Sequence, residues 1–509
     1  MTPLDQLRRD AKSLRKALGR GEARARQRVE SHLSGRDPEA LKHADFLHVI
    51  AREHGFGSWP RLVFAVETHG MDRAAKRQRL MVALHHGQTW RVEQLLEETP
   101  DLAAGDVHLA CALYDLKTVA ALLKEDAARA VEVVSDRSPI LWLAGSRWCH
   151  ARPDLKGAML AIADLLLAHG ADVNDGIPME DGHKLTALYL AIGASNNMPL
   201  GEWLLTHGAD PNDYESLYHA TELGHHDGLK LLLRHGAKPA GTNAMLRAMD
   251  FDDVGAVRLL LDAGADPNEF NAGPVGGELP WVWPAMHQAA RRMCLEEMAE
   301  LLLGAGGDPT RVHEGMTAYA LARTYGNRAV AKAIEMRGLA TVLSPVEQCL
   351  AKIADDEPAL FALAQEDLPP AVADLVRSIL HLPGKLAHVQ RLIAAGLPFD
   401  KPDSEGLTPV QIAGWEGLPD VMEYFLSLGP DLTHVNGYGG TLLSTILHGS
   451  ENNPSRQGRD YEACLRLALE AGVDLPRRAI QFAGVPELAA FLADWAEANP
   501  DQVVAHGVV

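Results

Sequence analysis

A chain of 509 residues is too long for one compact core, so it folds as several domains or as an elongated array. Apolar residues make up 47% and charged residues 23%, the balance of a soluble globular protein, and no apolar run is long enough to cross a bilayer. The net charge of −20 is uneven: residues 1–36 carry +6 and the remainder −26, which disfavours nucleic acid as the main partner because phosphate contacts need positive charge.

The N-terminus, "MTPLDQLRRDAKSLRKALGR", lacks an apolar core and a small-residue cleavage site, so no signal peptide is expected. Leu4, Leu7, Ala11, Leu14 and Leu18 put one apolar stripe on a helix that reads as continuous through residue 33, with Gly19 and Gly21 as weak points. A second helix, a Gly-Phe-Gly-Ser-Trp-Pro turn and a third short helix follow, with Ser58 suited to cap the last. Residues 1–75 read as a helical cap that shields the apolar face of whatever stacks beside it. The basic run Arg8, Arg9, Lys12, Arg15 and Lys16 is a solvated helix face, a grip on the acidic body in cis, or a recruiter of an acidic partner.

From residue 76 one motif returns. "LLLAHGADVN" at 165–174, "WLLTHGADPN" at 203–212, "LLLRHGAKPA" at 231–240, "LLLDAGADPN" at 259–268 and "LLLGAGGDPT" at 301–310 share Gly170, Gly208, Gly236, Gly264 and Gly306. The spacings of 38, 28, 28 and 42 are those of a repeat with loop insertions. In "ESLYHATELGHHDGLKLLLRHG", residues 215–236, Leu217 and Ala220 mark a short helix, and Leu229, Leu232 and Leu233 stripe a second one. Gly236 suits the left-handed close of that helix. A lone unit cannot bury its apolar face, so units must stack.

This pattern resembles the ankyrin repeat: "TALYLAIGASNNMPLGEWLLTHG" (186–208), "TAYALARTYGNRAVAKAIEMRG" (317–338) and "TPVQIAGWEGLPDVMEYFLSLG" (408–429) carry its Thr-to-Gly frame. The resemblance covers roughly residues 80–500, in about eleven or twelve units. It implies an all-α solenoid of helix–turn–helix units, with an array at 76–340, degenerate helical repeats at 341–395, further repeats at 396–500 and a tail at 501–509. Within 344–367, "SPVEQCLAKIADDEPALFALAQED" is expected as a helix pair. On "ESLYHATE", "GTNAMLRAMDFDD" and "DYEACLRLALEAG" the layout also resembles long bacterial ankyrin proteins, which assigns no activity.

The family binds proteins through a concave groove of fingers and first helices, so the resemblance implies an unknown protein partner. The finger between Gly264 and the helix near 285 is about ten residues longer than the family spacing allows and carries Phe270, Trp281 and Trp283. Tryptophan and arginine are enriched among binding hot spots, so this finger is a candidate contact, against a reading in which one tryptophan folds back on a neighbouring repeat. Ile177 and Met179 on the finger at 174–184 are weaker candidates. The insertion "GSRWCHARPDLKG" (145–157) offers Arg147 and Trp148, as a contact loop or as packing. A second insertion, "GSENNPSRQGRD" (449–460), reads as a polar, mobile loop.

No GxSxG, P-loop or HExxH is present, and "GPVGG" at 273–277 follows a turn rather than a strand, so no catalytic residue and no cofactor are expected. Asp252-Asp253 and Asp355-Asp356 fit helix starts better than acid–base work. His43, His48 and His54 are not at metal-pair spacing, and the adjacent pairs His85-His86 and His225-His226 diverge on a helix, so no metal is expected. The odd, scattered Cys111, Cys149, Cys294, Cys349 and Cys464 form no disulfide framework and point to buried thiols in the cytoplasm. The expectation is a monomeric binding protein with no membrane or nucleic-acid partner. The alternative is an enzyme or small-ligand binder with an unrecognised site.

Overall fold

The computed structural model describes residues 3–37, 41–179, 182–273 and 282–505. Trp281 and the Gly-rich run from Pro274 lie outside the described residues. The chain divides into two compact units, one of residues 67–323 and 327–342, the other of residues 1–66, 324–326 and 343–509.

The first of these is a stack of helix pairs. They run from Arg73–His85 with Thr89–Glu98, through Val107–Ala112 with Leu116–Glu125 and Pro139–Ala144 with Lys156–Ala168, to Ala187–Tyr189 with Met198–Thr206. Then come Ser216–Ala220 with Asp227–Arg234, Ala244–Met249 with Val254–Asp262, Ala285–Arg291 with Glu296–Gly304, and Ala318–Tyr325 with Arg328–Met336. First helices pack on first helices and second on second, so each unit's stripe is covered by its neighbours. Leu204, Leu232, Leu260 and Leu302, one per unit, are fully buried in this way.

Sequence sets both turns of each unit. Gly170, Gly208, Gly236, Gly264 and Gly306 hold φ between 89° and 98°, a conformation that costs a residue with a Cβ and closes the second helix. Between the helices, Tyr114, Asn196 and Asp252 also take positive φ. Each is followed by a capping residue: Asp115, Asn197 and Asp253 accept the amides of Thr118, Leu200 and Ala256. Asp253 is thus the helix start expected of it.

The letters after each Gly also have a task. Asn174 donates from Nδ2 to the Gly208 carbonyl at 3.2 Å and accepts the Asp210 amide at 2.8 Å. Asn268 does the same to Gly306 and Asp308 at 2.9 and 2.7 Å. The Asn of one finger therefore staples the turn of the next, which holds the fingers as a row.

In the second unit, the expected single N-terminal helix is two, Pro3–Gly19 and Ala23–His32, because Gly21 at φ 77° breaks it. With His43–Glu53 they bury Leu7, Leu14, Val29, Phe46 and Ile50 in a core of their own. Helix His43–Glu53 also packs on the C-terminal helix Pro486–Ala498. The basic run meets the same helix: Arg15 pairs with Asp494 at 2.8 Å, and Lys16 and Lys12 with Glu497 at 2.8 and 3.8 Å. This is the grip in cis.

Helix pairs return at Leu375–Ile379 with Leu386–Ala394, Pro409–Trp415 with Pro419–Ser427, Leu442–Asn452 with Tyr461–Glu470, and Arg477–Phe482 with Pro486–Ala498. The pair expected at 344–367 is one helix, Pro345–Ala354, followed by irregular chain. Asp356 at φ 67° and Pro358 prevent its continuation, so Asp355 and Asp356 end a helix rather than start one. The insertion at 449–460 is helical as far as Asn452, and Asn453 is buried with its amide on the Trp415 carbonyl. The start of the tail is structured: Val503–Val504 pairs in parallel with Leu475–Pro476.

Candidate partner-binding surface

The fingers are not free of sheet. Gly176–Pro178 pairs antiparallel with Lys184–Thr186, and Val312–His313 with Met316–Thr317, so two fingers are small hairpins. Ile177 lies opposite Leu185 and is half-buried, while Met179 beyond it exposes 41% of its surface.

Between the fingers, the first helices carry a continuous chain of charged side chains. It begins at Glu215, whose carboxylate is 3.5 Å from His183 Nε2 and 3.1 Å from His219 Nε2. His219 Nδ1 reaches Glu222 at 2.9 Å, and Arg247 reaches Glu222 at 2.7 Å and Asp250 at 2.8 Å. Asp250 in turn accepts from Arg292 at 2.7 Å and from Gln288. Three consecutive units contribute: His219 and Arg247 stand on short first helices, and Glu222 and Asp250 follow three residues on, in the turn just past each helix.

Burial alone would lower the His219 pKa, but the hydrogen bonds to Glu215 and Glu222 outweigh it and raise it to about 9. Glu222 is also burdened by burial, yet His219 and Arg247 hold its carboxyl below the usual range. His219 and Glu222 are therefore both charged at neutral pH. Aromatic rings border it: Tyr189 and Tyr218 pack against His219 at 4.9 and 5.1 Å, and Arg247 lies 5.0 Å over Phe251, which is 52% exposed.

The long finger adds a second cluster. Asn243 exchanges hydrogen bonds with the Asn271 backbone, both at 2.8 Å, and fixes the start of the finger. Phe270 and Trp283 then converge on His313, at 5.3 and 5.2 Å between ring centres. Arg311 covers the Phe270 ring at 4.8 Å and Arg291 covers Trp283 at 4.9 Å. Trp283 thus folds back onto the next unit and stays half-buried. Beneath them His287 is fully buried and bonded to the Met316 carbonyl, and burial pushes its pKa down to about 4.

These repeating turns, staples and stacked helices match a known family at the level of sequence. The model of ankyrin repeats (3 copies) matches residues 150–243 and 188–271. The chain is an ankyrin repeat-containing protein. No curated protein matches it. Among solved structures, the human ASB11 ankyrin repeat domain is similar at 23% identity, over 46% of this chain and 97% of that one, with a TM-score of 0.34.

Ankyrin repeats are typically protein–protein interaction modules. Within this array the insertion at 145–157 is anchored by buried Gly145, Ser146 and Trp148, while Arg147 and residues 152–154 are exposed. Trp148 is buried in a short helix, Trp148–Ala151, so it is not a contact residue. Arg147 donates twice to the Ala194 carbonyl, at 3.0 and 2.6 Å, and His150 lies 2.7 Å from the Ser195 carbonyl. The loop ties one unit to the next.

His225 bonds Asn196 at 3.0 Å and His226 bonds Asp253 at 2.9 Å, both across units, which is structural work. Four of the five free thiols are buried and Cys149 is half-buried. Among the described residues no group of His, Cys, Asp and Glu could hold a metal ion, and no helix is long and apolar enough to cross a membrane. The sequence reading missed the charged row altogether. Its members are spread along the chain, 28 residues from His219 to Arg247 and 45 from Arg247 to Arg292, and the one available signal was a charged pair three apart at the end of two short first helices.

Proposed function

We propose that this protein binds a partner protein through the finger and first-helix face of residues 131–323, acting as an adaptor, inhibitor or neutraliser rather than as an enzyme. One observation carries the reading: aromatic and arginine side chains stand half-exposed along successive units, already held in place by ion pairs and stapled fingers. Contact groups ordered before binding lose less side-chain entropy on association. Within the row, Glu215 and Glu222 are engaged by histidines and arginine, so it offers a recognition surface rather than a nucleophile with its base. The free thiols suit a reducing cytoplasm, and the acidic body does not suit nucleic acid.

The contact set proposed is Phe270, Trp283, Ile177, Met179 and Arg147 from the sequence, with Phe251, Arg247 and Arg311 added by the fold. Trp281 remains part of it on sequence alone. The test is capture from native lysate with the wild type beside a Phe270→Ala, Trp283→Ala variant. A partner retained by the wild type should be weakened by about 2 kcal/mol in the variant, the size of a hot-spot loss. Equal retention by both would remove the long finger from the interface. Specific retention by neither would sink the binding reading.

A further inference from the structure

Arg137 stands apart from the other charged groups of the finger face. It closes a tight turn in which Val134 and Arg137 exchange backbone hydrogen bonds, with Ser135 and Asp136 at φ 51° and 61°. Its guanidinium lies over the Trp142 ring at 5.1 Å and makes no hydrogen bond or ion pair among the described residues. A planar group with five N–H donors is thus half-buried with no acceptor. Burial lowers its pKa, and no carboxylate offsets this.

A neighbouring imidazole stays uncharged at neutral pH. His85 lies against Gly145, and its pKa is lowered first by burial and then by Arg137, His86 and Arg147. In a chain of net charge −20, Arg137 is thus a cation on an aromatic ring with no carboxylate paired to it. The same finger exposes Val131, Val133 and Val134 at 46%, 63% and 40%. These supply apolar contact beside the charge.

We propose that Arg137 receives a carboxylate from an acidic side chain of the partner protein, flanked by aliphatic residues that rest on Val131, Val133 and Val134. The inference rests on the binding reading above and names the chemistry of one contact. Its geometry suits a bidentate guanidinium–carboxylate pair, which arginine forms and lysine does not.

The test uses the full chain and three peptides: acetyl-Ser-Leu-Glu-Leu-Ser-amide, its Gln counterpart and its phosphoserine counterpart, titrated by calorimetry and by tryptophan fluorescence. The Glu peptide should bind at least fivefold more tightly than the Gln peptide. Arg137→Gln should erase that preference, and Arg137→Lys should keep only part of it. Because the native guanidinium has no carboxylate partner and rests only on the Trp142 ring, Arg137→Gln should melt close to the wild-type temperature. Equal binding of Glu and Gln peptides, binding of neither, or a preference that survives in Arg137→Gln would overturn the proposal. A fivefold preference for phosphoserine would overturn its commitment to a carboxylate. If partner capture by the wild type persists while any of these occurs, only the Arg137 assignment fails.

Discussion

Two networks in this protein use the same kinds of charged side chain and differ in their surroundings. In the row from Glu215 to Arg292, Glu215 and Asp250 expose only 7% and 8% of their side chains. In the clasp between the N-terminal helix and Pro486–Ala498, Lys16 and Glu497 expose 64% and 54%. Distances are alike, 2.8 Å for both Arg247–Asp250 and Lys16–Glu497. The comparison separates geometry from environment: contact distance is shared, so burial decides how much each pair matters.

The largest effect should come from Asp250. It accepts from Arg247, Arg292 and Gln288, so Asp250→Ala strands Arg292 on a partly buried surface and leaves Arg247 with Glu222 alone. Removing one partner of a buried pair costs roughly 3–5 kcal/mol. Hydrogen exchange in Ala244–Met249 and Ala285–Arg291 should report local opening of about that size, while Leu386–Ala394 in the other unit stays protected. A loss under about 1 kcal/mol would place the row with ordinary surface pairs.

His219 comes next, because its raised pKa makes the row sensitive to pH. A histidine held above its ordinary value near 6.5 contributes stability that is full below that value and disappears as pH rises through about 9. The shift corresponds to about 3 kcal/mol at most. The melting temperature of the wild type should therefore approach that of His219→Gln between pH 7 and 10. Parallel curves for the two would show that Glu215 and Glu222 do not hold the proton.

The repeat frame was legible because each of its letters has a local consequence. Gly264 must be left-handed, Asp253 must cap, and Leu260 must face the stack, and all three follow from spacing within one unit. The charged row was not legible, since His219, Arg247 and Arg292 become neighbours only when units stack. Trp283 illustrates the middle case. Its place in a long finger was readable, but the Arg291 and His313 that hold it come from elements eight and thirty residues on. At Trp148 composition left a contact loop and packing both open, and the fold decides for burial.

The smallest effect belongs to the clasp, and it is the sharper test of the comparison. Arg15→Ala with Lys16→Ala removes both 2.8 Å pairs but leaves helix His43–Glu53 packed on Pro486–Ala498. Exposed pairs contribute about 0–1 kcal/mol each, since water solvates both charges when they part. Salt should shrink even that, because the screening length falls to about 4 Å near 0.5 M. Protection of Pro486–Ala498 against hydrogen exchange should therefore drop slightly in the double variant at low salt and match the wild type at 0.5 M. The Asp250→Ala loss should change far less over the same range, as its partners are shielded from the ions. If the clasp variant instead lost several kcal/mol and kept that loss in salt, burial would not be what distinguishes the two networks. The N-terminal helices would then depend on their charges rather than on the apolar core around Phe46 and Ile50.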